Sequence, residues 1–195
     1  MWKAIFVLAA ACGSNSPATG DDDASPDAST GSGGHTSDAL YPFAAGNSWT
    51  FDVQAVGSGS ICAAGSHEQH VVSTNPANGR AAFQLTSFCT GVSATYDYAT
   101  TGDEVDFNYQ GTWLVLVDPM LQEGHDWPYF NTSYHWHRET SVTVPAGTYD
   151  DCWTAVQDVS YTAYLTYCRG VGLVRSYSSD LTGSGWDAKL ASSNL

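Results

Sequence analysis

From about residue 40 onward the chain alternates apolar and polar positions with a period of two. Residues 48–53 read Ser-Trp-Thr-Phe-Asp-Val, and residues 94–98, 103–109 and, more loosely, 161–167 alternate in the same way. Successive side chains of a strand point to opposite faces, so this pattern predicts strands with one buried face. Trp113-Leu114-Val115-Leu116-Val117 is a continuous apolar run and predicts a short strand buried on both faces. Turn signals separate the runs: Asn78-Gly79, Thr101-Gly102-Asp103, Gln110-Gly111 and Pro145-Ala146-Gly147. Asn-Gly suits a two-residue turn of positive φ, which makes residues 71–74 and 80–88 hairpin partners. No window shows helical periodicity with caps, and only residues 119–124 offer a turn of helix. The expectation is all-β: a single antiparallel sheet of about nine to eleven strands, as a sandwich, a barrel or a half-barrel wrapped on itself.

The first 39 residues break the pattern. Met1-Trp2-Lys3 carries one positive charge, residues 4–11 are an unbroken apolar run, and Leu8-Ala9-Ala10-Ala11-Cys12 ends it. The run is far short of the roughly 20 residues that a membrane-spanning helix needs. A basic start, an apolar centre and small residues are the anatomy of a secretory signal. The segment resembles a bacterial lipoprotein signal, whose lipobox is Leu-small-small-Cys. Here Leu8 sits one place earlier than usual, and Ala9 fills its slot. The resemblance implies a signal peptide 1–11, cleavage before Cys12, diacylglycerol on the Cys12 sulfur and a fatty acyl chain on the new amino terminus. One acyl chain binds a bilayer reversibly, at about 0.8 kcal/mol per buried CH2, whereas several together hold for the protein's lifetime. Gly13 and Ser14 stand where an Asp retains enterobacterial lipoproteins at the inner membrane, so the expected location is the outer membrane.

Residues 13–39 are Ser, Gly, Asp, Ala, Thr and Pro with one Asn and one His, and contain no large apolar side chain. Such a segment cannot offset its ordering entropy by burial, so 12–39 is expected to be a disordered linker. Its root-mean-square reach is roughly 30 Å. Asp21-Asp22-Asp23 is a solvated acidic run, because neither a Gly turn nor a later Glu completes a calcium loop. The remainder, 40–195, is long enough for one domain. Across the chain 20 acidic face 6 basic side chains, a net charge of −14. With few Lys and Arg and no basic stripe, nucleic acid and charge-driven binding to anionic lipid are excluded as partners.

Besides Cys12 the chain has Cys62, Cys89, Cys152 and Cys168. An exported chain meets an oxidising space, where paired cysteines form bridges, and four cysteines allow three connectivities. If residues 149–158 and 161–168 pair as a hairpin, positions summing to about 320 face each other. That puts Cys152 opposite Cys168, Thr154 opposite Thr166 and Val156 opposite Tyr164, with the turn at Val159-Ser160-Tyr161. The Asn-Gly turn places Glu68, not Cys62, opposite Cys89, so Cys62 must fold back from the preceding loop, and its pairing with Cys89 rests on exclusion. A four-cysteine zinc site is disfavoured, since no Cys-x2-Cys spacing is present.

Candidate chemistry is sparse. His67-Glu68-Gln69-His70 misses the zinc-protease spacing by one and sits in a strand, where its histidines face opposite ways. His135-Trp136-His137 is the better candidate, because positions i and i+2 of a strand share a face. Both imidazoles could grip one metal with Asp126, His125 or Glu139 as third ligand. The competing reading is two surface histidines flanking a core tryptophan. No Gly-x-Ser-x-Gly elbow exists, no cofactor motif is present, and two bridges would leave no free thiol nucleophile. Asp150-Asp151 reads as a solvated turn edge. The aromatic load is high, with 7 Trp, 11 Tyr and 7 Phe. Tyr161, Tyr164, Tyr167 and Tyr177 crowd the last strands, and Trp127-Pro128-Tyr129-Phe130 is read as a loop. Aromatics dominate β cores; the sharper reading is a cupped sheet whose aromatic rim holds a lipid tail, a sugar or a peptide.

Three blocks, Tyr41-Pro-Phe-Ala-Ala-Gly-Asn-Ser-Trp-Thr-Phe51, Val142-Thr-Val-Pro-Ala-Gly-Thr-Tyr-Asp-Asp-Cys-Trp-Thr-Ala-Val156 and Tyr167-Cys-Arg-Gly-Val-Gly-Leu-Val-Arg-Ser-Tyr177, resemble recurrent blocks of uncharacterised bacterial, myxobacterial-type lipoproteins. The resemblance implies a secreted all-β domain and says little about chemistry. In the blocks themselves, Gly170 and Gly172 allow a bulge or a close backbone approach, and Trp49 and Phe51 share a core face. Two functional readings follow. One is a non-enzymatic envelope module, anchored through Cys12, that binds an apolar ligand or an envelope protein. The other is a metal-dependent hydrolase built on His135 and His137.

Overall fold

The computed structural model describes residues 38–60, 62–89, 95–158 and 162–195. The expected signal peptide, Cys12, the expected linker up to residue 37 and the expected 159–161 turn lie outside them. Fourteen strands and no helix occur among the described residues, more than the nine to eleven expected. They are β1 (Ser48–Val56), β2 (Gly65–Ala77), β3 (Arg80–Thr86), β4 (Thr95–Thr101), β5 (Glu104–Tyr109), β6 (Thr112–Val117) and β7 (Asp126–Tyr129) in the first half. The second half holds β8 (Thr132–Glu139), β9 (Val142–Val144), β10 (Gly147–Tyr149), β11 (Cys152–Asp158), β12 (Thr162–Cys168), β13 (Gly172–Ser179) and β14 (Gly185–Asn194). The surplus comes from short pieces. β7 has four residues and a proline, and β9 and β10 have three residues each, too few to show a period. Residues 119–124 form no helix: a turn closed by the His125 amide donating to the Gln122 carbonyl (3.0 Å) replaces it.

Twelve strands make one antiparallel sheet in the order β6-β5-β4-β3-β2-β1-β14-β13-β12-β11-β8-β7, with β9 and β10 as a separate hairpin. The sheet curls until its two terminal strands, β6 and β7, lie side by side, so the domain is a nearly closed barrel. No hydrogen-bond ladder joins that seam among the described residues. Side chains bridge it instead. The Trp127 indole donates to the Val115 carbonyl at 3.3 Å, and the Trp136 indole to the Asp118 carbonyl at 3.2 Å. Pro128 fits this position, since a strand proline is tolerated at an edge. The apolar run of β6 is therefore a terminal strand, half-buried along most of its length, not a central strand buried on both faces. Its apolarity serves the interior and the seam.

The hairpin at Asn78-Gly79 forms, with φ of 45° and 78° and Ala77 opposite Arg80. β2 is a corner strand: its first half pairs with β1 and its second with β3, with a bulge between Val71 and Ser73. β11 and β12 pair with Cys152 opposite Cys168, Thr154 opposite Thr166 and Val156 opposite Tyr164. Disulfides join Cys152 to Cys168 and Cys62 to Cys89, with Cα–Cα distances of 4.1 and 5.0 Å. Cys89 lies beyond the end of β3, so the hairpin register does not govern its partner.

Alternate residues fill the barrel interior. Trp49, Phe51 and Val53 of β1 face inward and are 0–3% exposed. One end of the barrel is plugged by the chain that enters β1. Leu40 and Tyr41 are buried there, and Tyr41 meets Trp49 edge-on at 5.2 Å. The Trp49 indole donates to the Val171 carbonyl (2.7 Å), and the Tyr41 hydroxyl to Gln69 Oε1 (2.9 Å). Gly172, at φ +91°, makes room: a Cβ there would lie 2.5 Å from Tyr41 Cδ2. The Ala146 amide donates to the Leu190 carbonyl, drawing in the β9–β10 hairpin. The three sequence blocks thus meet around this plugged end.

Candidate functional site

Arg169 fastens the plug. Its guanidinium donates to Asp103 (3.0 and 3.2 Å), Asp151 (2.9 Å) and the Asp38 carbonyl (2.6 Å). The Leu40 amide donates to Asp103 Oδ1, and the Gly170 amide to the Ala39 carbonyl. Asp151 is therefore an ion-pair partner rather than a plain solvated turn residue. A recess of about 290 Å³ lies beside the plug, lined by Tyr41, Phe43, Asn47, Thr100 and neighbouring backbone.

The opposite end is built differently. β5 ends there at Tyr109, and β7 turns into β8 through Phe130-Asn131, since Tyr129 pairs with Thr132. Tyr109 and Phe130 are 36% and 48% exposed, while Tyr96, Phe107 and Tyr129 are half-buried. Phe130 meets Tyr109 at 4.9 Å and 84° between planes, and Tyr129 at 4.9 Å and 88°. The three rings form a corner that spans the seam. Phe130 reaches it from a backbone φ of +52°. That left-handed conformation is a genuine outlier for a bulky residue and costs roughly 1–2 kcal/mol. Strain of this sort clusters at binding sites.

From the corner a chain of aromatic contacts encircles the interior. It runs from Phe130 through Tyr129 and Tyr134 to Trp127 and Trp136. It continues through Tyr167, Tyr41, Phe43 and Tyr98 to Phe107 and returns to Tyr109. Five phenols on this circuit feel one another. Burial raises the pKa of Tyr41, Tyr98 and Tyr167 above the ordinary phenol value, and neighbouring tyrosines add to the rise. Those three hydroxyls stay protonated and available as hydrogen-bond donors at physiological pH.

The histidine candidates lie elsewhere. β8 presents His135 and His137 on the outer face, while Trp136 is 0% exposed in the core. His137 Nδ1 lies 3.0 Å from Glu123 Oε1, and Glu123 also accepts from the Arg138 amide at 2.7 Å. The Glu123 hydrogen bond raises the pKa of His137. His125 sits 3.3 Å from Asp118, and Asp126 pairs with His135 in the ladder. Among the described residues no group of three or more His, Cys, Asp or Glu side chains is placed to hold a metal ion. The third ligand sought for His135 and His137 at Asp126, His125 or Glu139 is thus not assembled. Glu139 instead accepts from Thr154 at 2.7 Å. His67 and Gln69 face the interior of β2, both 6% exposed, so the His-Glu-Gln-His run is split between two faces.

No family model matches the chain, and no curated protein matches it. Among solved structures it is similar to a protein from Parabacteroides distasonis ATCC 8503 classed by inference as a lipoprotein. The two are 14% identical, with a TM-score of 0.49 over 81% of this chain and 99% of that one. It is also similar to a protein from Bacteroides fragilis NCTC 9343 classed by inference as exported, with a YmcC-like fold. That pair is 12% identical, with a TM-score of 0.49 over 80% of this chain and 98% of that one.

Proposed function

We propose that the chain is a lipid-anchored cell-envelope protein whose β domain is a non-enzymatic module that binds an apolar ligand, or an apolar segment of an envelope protein, at its unplugged end. In this reading residues 1–11 are removed, Cys12 is acylated in the outer membrane, residues 12–39 are the tether, and 40–195 form the binding domain. The lipobox-like Leu8-Ala9-Ala10-Ala11-Cys12 and the Ser/Gly/Asp-rich stretch after it support the anchor and the tether. The observation that carries the binding role is the contrast between the two ends. The plugged end buries Tyr41 and Trp49, whereas the other end leaves Tyr109 and Phe130 36% and 48% exposed above the half-buried Tyr96, Phe107 and Tyr129, with Phe130 on a strained backbone. A core that only needed to fold would bury these rings or replace Phe130 by glycine.

The test is binding of N-phenyl-1-naphthylamine, a neutral apolar dye that fluoresces out of water. The full chain should bind it saturably, and Phe130→Gly together with Tyr109→Ser should weaken binding at least tenfold. Absence of saturable binding, or equal binding by the double variant, overturns the reading.

A further inference from the structure

We infer that the unplugged end of the barrel lies against the bilayer in which the chain is anchored, with Tyr109, Phe130 and Leu181 entering the boundary between headgroups and acyl chains; this rests on the lipid anchor proposed above and not on the dye-binding site. Topology decides which side chains stand at that end. Neighbouring strands of the large sheet are antiparallel throughout, so their connections divide between two rims. The connections β1–β2, β3–β4, β5–β6, β7–β8, β11–β12 and β13–β14 fall at the unplugged rim. Their sequences hold one Asp, Glu, Lys or Arg, which is Asp180. The entry segment 38–47 and the connections at the plugged rim hold seven, among them Asp118, Glu123, Asp150 and Asp151. The uncharged rim also presents large apolar side chains: Leu181 is 75% exposed, Phe130 48% and Tyr109 36%. Asp180 does not offset this, because its Oδ1 accepts from the Thr182 amide (2.8 Å), the Ser184 amide (3.0 Å) and the Thr182 hydroxyl (2.7 Å). The lone carboxylate is tied into its own turn, and that turn holds Leu181 out in solvent. Met120 and Leu195 are exposed at the plugged rim, but Asp118 and Glu123 flank Met120, and Leu195 lines the recess beside the Arg169–Asp103 pair. Those charges would have to be stripped of water with them.

The arrangement fits a fluid surface better than a protein partner. Phe130 and Tyr109 flank the seam, whereas Leu181 stands between β13 and β14, with β12, β11 and β8 separating β13 from β7 in the sheet. Scattered single side chains do not make the contiguous, shaped patch that a protein interface needs. A bilayer interface accepts them one by one, and Tyr, Phe and Leu are the residues that settle there. Docking by this rim also turns the acidic rim away from anionic headgroups. The chain enters the barrel at the far rim, so the tether must run the height of the wall. A strand of eight residues, such as β8 or β13, spans about 26 Å. The tether's expected reach of roughly 30 Å covers that height.

The experiment places the full chain, with its anchor, in phosphatidylcholine vesicles. A nitrobenzoxadiazole label is attached through Asn131→Cys, next to Phe130, or through Met120→Cys at the plugged rim. The quencher is phosphatidylcholine with a nitroxide on its acyl chain, and vesicle flotation reports the anchor separately. The label at 131 should be quenched and shifted to the blue, and the label at 120 should be neither. Phe130→Asp together with Leu181→Asp should abolish quenching at 131 while flotation and the circular dichroism spectrum stay unchanged. Equal quenching at 131 and 120, quenching at neither, or quenching at 131 that survives the double change overturns the inference. A chain that does not float overturns anchor and docking together. The naphthylamine titration keeps the binding role separate: dye binding without quenching overturns the docking and leaves the apolar site standing, and quenching without dye binding does the reverse.

Discussion

Replacing Gly172 by alanine tests whether the plug is held as described, and Gly46 supplies a matched control. Both glycines have φ of +91°. At Gly46 a Cβ would meet nothing within 4 Å, whereas at Gly172 it would lie 2.5 and 2.8 Å from the Tyr41 ring and 3.4 Å from the Trp49 indole nitrogen. Backbone strain alone, common to both variants, costs roughly 1–2 kcal/mol. At Gly172 the ring must also move. Expelling Tyr41 forfeits about 1.5–3 kcal/mol of burial and about 1 kcal/mol for its hydrogen bond to Gln69, which would be left buried without that donor. Gly172→Ala should therefore cost about 3.5–6 kcal/mol and Gly46→Ala about 1–2 kcal/mol. Urea denaturation of the full chain, read by tryptophan fluorescence, measures both, and an unchanged slope identifies the loss as one of stability. Equal losses in the two variants would show that the ring contact at Gly172 does not constrain the fold.

Other consequences are equally open to measurement. Arg169→Ala should destabilise the domain by about 1–3 kcal/mol, discounted because the side chain is partly exposed, and should raise amide exchange first in residues 38–43. His137 should titrate above the ordinary histidine value by NMR. Its raised pKa means that the Glu123 bond contributes fully below the unfolded value and is lost as pH rises through the folded value, so Glu123→Gln should bring the titration back down. Reducing the Cys152–Cys168 bridge, which closes a 16-residue separation, should cost about 3 kcal/mol by urea denaturation. Phe130→Gly should raise stability by roughly 1 kcal/mol while weakening dye binding, a combination that a purely structural aromatic would not give.

Much of the fold is written locally. Alternation in residues 48–53 placed Trp49 and Phe51 on one face, and both are buried in the interior. The spacing of Cys152 and Cys168 followed from hairpin register, because one turn relates them. What local pattern could not supply was the path of the sheet around itself. β6 reads as a doubly buried strand because an apolar run looks the same in a central strand and at a seam closed by side chains. Pro128 disguised β7 as a loop, although an edge strand accommodates it. The corner joins residues 109, 129 and 130, which meet only because the first and last strands of the large sheet come together. The aromatic count hinted at an exposed cluster but could not say which rings form it. His135 and His137 share a face as their spacing requires, yet the partners that would turn them into a metal site are set by loops no spacing rule reaches.

Native mass spectrometry of the full chain, purified in mild non-ionic detergent from the cells that make it, tests the central claim most directly. The account predicts a chain lacking residues 1–11 and carrying acyl mass, with a further small molecule that dissociates on activation, is apolar or amphiphilic, and disappears in Phe130→Gly. A chain without any bound molecule in the wild type, or one whose bound molecule is indifferent to Phe130→Gly, would contradict it.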